Sequence, residues 1–342
     1  MSIGLLMLGN YPVQQMAGYA ELAEANGYEA VWLGDERFYR EVYACLGYFA
    51  TRLWQIQLGP CVTDPYSRHP AMTAAAIQTL DEITGGRAML AIGAGISGFA
   101  ELGIERRRPA RAIAEAVELI RALLAGEEVD YEGEVIRFNR GRLSFPGIRD
   151  AVPIYVASNG PLGQRTAGRV ADGAIMEACA SVDEVRAFRA KVDEGATAAG
   201  RDPAAIRLVA RLNACIADDG AAARDAVRLG VARMLGAGRL KMATLEAQGL
   251  ALPDAARAEV AGVAYTDGLE PYRPLLPLIS DRHVDAFTLA GTADEVAQHV
   301  AELRRAGVDE IIILPFAAEG GSVEDTISRF GAEVWPAAEG AV

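Results

Sequence analysis

Short, almost purely apolar runs alternate along most of this chain with longer stretches whose apolar residues recur every three to four positions. The short set comprises Ile3–Leu8, Ala30–Leu33, Ile56–Val62, Arg87–Ile92, Pro153–Ala157, Gly173–Met176, Ile206–Cys215 and Glu310–Leu314. These runs lack the polar alternation of a strand with one wet face, so they predict strands buried on both faces. The long set predicts helices at Val13–Asn26, Tyr43–Arg52, Pro70–Ile83, Arg106–Leu124, Leu162–Ala171, Val182–Ala198, Ala221–Leu235, Ala293–Ala306 and Val323–Trp335. Their punctuation agrees: Gly27, Gly85-Gly86, Gly126 and Gly307 stop helices, and Pro70 suits a first turn. Eight buried strands alternating with helices specify a parallel sheet, and eight such units point to an α/β TIM (β/α)8 barrel over residues 1–342.

The rhythm breaks twice. Near 127–150, the segment VDYEGEVIRF carries a Glu-Gly turn between alternating halves and reads as a hairpin inserted on the rim. From about 236 to 285, Leu, Ala, Pro and Gly follow no single period, which reads as an inserted helical lid.

Composition narrows the function classes. With 51% apolar residues the chain fills a large core, and a net charge of −13 disfavours nucleic acid and anionic membrane as partners. No apolar run reaches the roughly 18 residues of a membrane span. The opening MSIGLLMLGNYP has no basic region and reads as a strand, so a cytoplasmic protein is expected. Cys45, Cys61, Cys179 and Cys215 form no CxxC pair, and His69, His283 and His299 have no zinc spacing, so no metal is expected.

A barrel places its chemistry in the loops at the carboxyl ends of its strands. There the second strand offers Asp35-Glu36, the third Cys61-Val62-Thr63, the fourth Gly93-Ala94-Gly95 and the fifth Ala157-Ser158-Asn159-Gly160-Pro161. Gly93 to Gly98 spells GxGxxG, yet it follows the fourth strand, and the acid about 20 residues on, Glu118, lies inside a helix. That disfavours a dinucleotide site and leaves a tight barrel loop, or a loop bare enough to admit a flat ring or phosphate. Asn159-Gly160-Pro161 enters a helix, where free N–H groups and the dipole attract anions, although an ordinary turn fits too. Asp35 and Glu36 suit general acid or base work, or else a helix cap and a pair with Arg37 or Arg40. His69 reads first as a cap or packing residue, Cys61 as inert packing, and the Glu105–Arg111 run as a solvated helix start or an anion-steering patch.

The segments VTDPYSRHPAMTAAAIQTLDEITGGRAMLAIGAGISG and LGIERRRPARAIAEAVELIRALLAGEEVDYEGEVIRF resemble the luciferase-like flavin and deazaflavin oxidoreductases. VWLGDERFYREVYACL, VPIYVASNGP, AGRVADGAI and VDAFTLAGTADEVAQHVAELRRAGVDEIIIL extend the resemblance over all but about 236–280. It is strongest toward the methylenetetrahydromethanopterin reductase-like branch, which uses coenzyme F420. The resemblance implies a deazaflavin in a cleft of the barrel. A non-proline cis peptide at Cys61-Val62 would back the ring, with Thr63 next to it. Gly93, Ala94 and Gly95 would leave the ring room, Ala157 to Pro161 would hold the phosphate, and Asp35 would lie beside the ring. Several family members place a histidine after that aspartate, and some deazaflavin dehydrogenases a glutamate after the fourth-strand GxG; here stand Glu36 and Ile96, which leaves Glu36, or Asp35, as the proton carrier. The implied activity is hydride transfer between the deazaflavin C5 and a C=C or C=N bond of a small molecule. The alternatives are an FMN-dependent luciferase-like monooxygenase and a non-catalytic cofactor carrier. The resemblance also implies a homodimer through Tyr43–Ala50 and Ala71–Ala76.

Overall fold

The computed structural model describes residues 1–95, 98–237, 245–264 and 267–340. Its strands are β1 Ser2–Met7, β2 Ala30–Leu33, β3 Gln57–Pro60, β4 Leu90–Ile92, β5 Val129–Glu132, β6 Arg137–Gly141, β7 Ile154–Ala157, β8 Gly173–Glu177, β9 Arg207–Ile216, β10 Thr288–Gly291 and β11 Glu310–Pro315. Eight of them pair in the order β3-β2-β1-β11-β9-β8-β7-β4, every pair parallel. Bridges between Leu58 and Ala88 and between Thr63 and Ile92 join β3 to β4 and bring the ends of the sheet together. The result is the nearly closed parallel barrel that the alternating pattern predicts.

Two faces of each strand do different work. Side chains of β1, β2, β4, β7, β8, β9 and β11 that point inward meet on the barrel axis, among them Leu6, Trp32, Ala91, Ile175, Val209 and Ile312. Those pointing outward, such as Leu5, Val31, Ile154 and Ile313, are covered by the helices and are equally buried. That double burial is why the strands read as continuous apolar runs. The helix Pro70–Thr84 shows how the punctuation works: His69 Nδ1 accepts from Ala71 N at 3.1 Å, Pro70 occupies the first turn, and Gly85 ends the helix in the left-handed region at φ 68°.

The amino end of the barrel is closed by a polar plug. Glu310 is 3% exposed, accepts from Trp32 Nε1 at 3.3 Å and lies 3.4 Å from Arg207. Arg207 also donates to Tyr155 Oη at 3.2 Å and to Ser2 Oγ at 2.8 Å.

The alternating segment near 127–150 is the antiparallel hairpin β5–β6. It is tied to the barrel by Glu115, whose buried carboxylate accepts the backbone N–H groups of Glu134, Val135 and Ile136 at 2.8, 2.9 and 2.8 Å. The aperiodic segment contains helix Asp254–Glu259, the 3-10 turn Glu270–Leu278 and helix Asp281–Phe287. Tyr272, Leu275, Ile279 and Phe287 pack there on Val227, Val231 and Leu235 of helix Gly220–Gly236, which makes a second apolar core. Gln248 Nε2 donates to Ser181 Oγ at 2.8 Å, so this segment also touches the loop that follows β8. The pattern missed β10, which pairs in parallel with the end of β9, Thr288 opposite Asn213. It is four residues long and follows Phe287 with no Gly or Pro between helix and strand, so nothing in the sequence marks its start.

Candidate active site

The loops after β2 and β3 meet first. Thr63, fully buried, donates from Oγ1 to the Asp35 carboxylate at 2.7 Å. Arg68 Nε lies 3.9 Å from the same carboxylate, and its guanidinium sits 4.9 Å over the Tyr43 ring. Burial pushes the Asp35 carboxyl above the usual range, the Thr63 hydrogen bond and Arg68 pull it back, and neighbouring Asp64 pushes it up again. Asp64 itself is fully committed: it pairs with Arg37 and accepts from Tyr66 N and Ser67 N, each at 2.8 Å, and from Ser67 Oγ at 2.6 Å. Asp35 is therefore the carboxyl of the two that retains capacity for a further partner. Glu36 follows it, half-buried.

The Cys61–Val62 peptide is cis. The chain on either side stays in the barrel ladder, with Cys61 N donating to Leu33 O at 2.8 Å and Thr63 N to Ala91 O at 3.0 Å. The Cys61 side chain points into the barrel, where burial pushes its thiol up to about 12. A thiol that weakly acidic is packing, as the sequence reading has it. Val62, Ala157 and Leu314 form the half-buried apolar rim above the interior.

The glycine loop turns out to be shaped by the chain's own side chains. A Cβ on Gly93 would sit 2.9 Å from Val62 Cγ2, so a bare residue there lets the β3 and β4 loops touch. Gly95 is at φ 64°, and a Cβ on it would meet Arg37 Nη2 at 2.7 Å. Arg37 lies 4.1 Å over the Phe99 ring in that space. Ala94 packs against the outer core, half-buried, and Ile96 lies outside the described residues.

On the β7 side, Ala157 and Ser158 lead to Gly160, which caps helix Pro161–Val170 in an extended conformation without any side-chain cap bond. Ser158 Oγ accepts from Gly160 N at 3.3 Å, and Asn159 Oδ1 accepts from Glu177 N at 3.1 Å. A Cβ on Gly160 would have nothing within 4 Å. The positive dipole end of this helix thus has open space beside Gly160, an arrangement suited to a phosphate or carboxylate, while Ser158 Oγ sits where a Cβ on Gly163 would stand. Asp35, Cys61 to Thr63, Gly93 and Ala157 to Pro161 consequently share one face of the barrel.

Two polar residues at this face escaped the sequence reading as a pair. Arg211 of β9 lies 3.8 Å from Glu177 at the end of β8 and donates to Asn213 Oδ1 at 3.3 Å. An arginine two positions beyond an inward-facing valine, Val209, was the available signal. His69, by contrast, only builds structure: besides its cap bond, its Nε2 contacts Arg137 O of the hairpin at 2.9 Å. The arginines at 107, 108 and 111 pair with Glu105, Glu134 and Glu115, while Arg106 donates to Gly95 O at 2.5 Å. Among the described residues no His, Cys, Asp and Glu side chains converge as a metal site would need.

A sequence profile of luciferase-like monooxygenases matches residues 4–310. Over 340 residues the chain is 34% identical to a 5,10-methylenetetrahydromethanopterin reductase of Archaeoglobus fulgidus, covering 98% of this chain and 99% of that one. A reductase of the same description from Methanolobus tindarius is 34% identical over 337 residues, with 98% and 99% covered. Among solved structures, the coenzyme F420-dependent tetrahydromethanopterin reductase from Methanopyrus kandleri superposes with a TM-score of 0.86 at 29% identity, covering 98% of each chain.

Proposed function

Because this chain belongs to the luciferase-like monooxygenase family, we propose that it is a coenzyme F420-dependent oxidoreductase. It moves hydride between the deazaflavin C5 and a C=C or C=N bond of a small organic substrate. The observation that carries this reading is the uncapped helix start at Gly160-Pro161, opening onto the same face as the cis Cys61–Val62 segment and Asp35.

The residues fit such a cofactor. Ala157, Ser158, Asn159, Gly160 and Pro161 would lie against its phosphate, at the positive end of the helix that Pro161 begins. Cys61 and Val62 would back its ring, with Thr63 and Asp35 at one edge and Gly93, Ala94 and Gly95 beside it. When bound, the deazaflavin supplies a two-electron hydride carrier. The chain supplies the rest. Leu6, Val62 and Leu314 offer an apolar surface that excludes water from the reacting atoms. The Asp35 carboxyl, raised by burial, holds or releases the accompanying proton, with Glu36 next to it as the second carrier. We further infer a homodimer through the helices Val42–Ala50 and Pro70–Thr84, on which Tyr48 and Met72 are exposed, with exposed Trp54 beside them. Four buried free cysteines suit a cytoplasmic setting.

The test is binding of F420 against FMN, followed by absorbance. Retention of F420 is expected, and Gly160→Asp, which meets no neighbour in the fold, weakens it about tenfold or more by placing a carboxylate at the phosphate seat. Tight FMN binding without F420 binding overturns the deazaflavin reading in favour of the flavin monooxygenase.

A further inference from the structure

The inner face of β9 carries two arginines four positions apart, one at each end of the barrel, and they are satisfied very unequally. At the amino end Arg207 has Tyr155 Oη, Ser2 Oγ and Glu310 within 3.4 Å. At the carboxyl end Arg211 has one hydrogen bond, to Asn213 Oδ1 at 3.3 Å, and Glu177 at 3.8 Å is beyond hydrogen-bond reach. Its side chain is nevertheless only 13% exposed, against 42% for Arg207. A guanidinium has five N–H donors, and leaving them unmet while withdrawn from water is unfavourable. The two Arg211 nitrogens without a partner, Nε and Nη2, are not among the fully buried orphan donors, which among the described residues are Arg37 Nε, Tyr43 Oη and Arg68 Nε. The uncommitted N–H groups of Arg211 therefore open onto the mouth of the barrel.

Apolar side chains flank it on the barrel interior. Leu6, Ala91, Ala157 and Leu314 occupy the same inner face, and the charges of Arg211 and Glu177 both act on the Cys61 thiol. Glu177 is 45% exposed and readily hydrated, whereas Arg211, at 13%, is hydrated far less. A ligand that completes this site brings acceptor oxygens to Arg211 and an apolar body to the rim.

We propose that Arg211 is the substrate-docking residue of the cleft, and that the substrate class is a small carboxylate-bearing molecule with an apolar remainder. Its carboxylate is received by the guanidinium fork, in the planar geometry that arginine matches and lysine does not. Glu177 and Asn213 position the guanidinium. The proposal rests on the cofactor reading only for which bond is reduced; the carboxylate seat is built from the chain itself.

Crotonate and crotyl alcohol share a carbon skeleton and differ in the carboxylate, so they serve as probes. Melting temperature is recorded for each with wild type, Arg211→Gln and Arg211→Lys, in protein with and without F420 at fixed ionic strength. Crotonate raises the wild-type melting temperature and the alcohol does not. Its affinity falls about tenfold or more in Arg211→Gln and by an intermediate factor in Arg211→Lys. Equal effects of crotonate and the alcohol on wild type, or equal crotonate affinity in wild type and Arg211→Gln, overturn the proposal. Failure of F420 to bind is read separately and overturns only the cofactor assignment, because the comparison in cofactor-free protein stands by itself.

Discussion

Asp35 and Asp64 sit at the ends of neighbouring strands, and what distinguishes them is the number of donors each already serves. Asp64 has four, Asp35 has the Thr63 hydroxyl and a distant Arg68. Thr63→Val keeps the shape of that side chain and removes its donor. The ionised form of Asp35 loses its best stabilising contact, so a carboxyl already raised by burial titrates higher still. Carboxyl carbon NMR of the two proteins checks this; an Asp35 titration that stays in place or moves to lower pH contradicts it. Asp35 was legible as a candidate because it ends an apolar run, and the barrel rule assigns that place to chemistry. Glu177 ends an apolar run in the same way, but its pairing with Arg211 was not legible, because the two lie on different strands and meet only when β8 and β9 pair. Nor does spelling reveal that the space over Gly95 belongs to Arg37, since Arg37 comes from the loop after β2.

Single contacts also decide how whole elements are held. Glu115 lies in the middle of the apolar stripe of helix Pro109–Leu124, between Ala114 and Ala116, and is completely buried. A lone carboxylate on an apolar helix face demands a partner set, and here that set is the tip of the hairpin together with Arg111 at 2.7 Å. Glu115→Ala leaves three backbone N–H groups without acceptors and costs about 3 kcal/mol or more in a urea melt. Glu115→Gln retains one acceptor oxygen and costs less. Hydrogen exchange at Glu134 to Ile136 accelerates in both; unchanged protection there would show that the hairpin is held by other contacts. The hairpin itself was readable from local alternation, because strand pairing across a turn is a short-range property. Its anchor is 19 residues away in sequence, and β10 pairs with a strand more than 70 residues distant, so neither left a local trace.

At the scale of the molecule, the barrel separates a permanently satisfied end from a receptive one. The amino end joins β1, β2, β7, β9 and β11 through Ser2, Trp32, Tyr155, Arg207 and Glu310, so its polar atoms are committed to closing the sheet. The carboxyl end keeps polar groups with spare capacity: the Asp35 carboxyl and the Arg211 fork, beside the positive end of helix Pro161–Val170. The satisfied end still carries a cost that pH exposes. Burial raises the Glu310 carboxyl, with Arg207 and the Trp32 N–H only partly offsetting it. A carboxyl whose folded pKa lies above its unfolded value contributes most below the unfolded value, and that contribution is lost as pH rises through the folded one. Glu310→Gln keeps an acceptor for Trp32 Nε1 and carries no charge to bury, while Arg207, partly exposed, remains hydrated. Measured by urea melts, the stability of Glu310→Gln relative to wild type therefore rises steadily from pH 4 toward pH 8. A difference that is flat with pH, or that favours wild type increasingly as pH rises, would mean that Arg207 holds Glu310 ionised at no net cost, and that the plug is an ion pair rather than a buried acid.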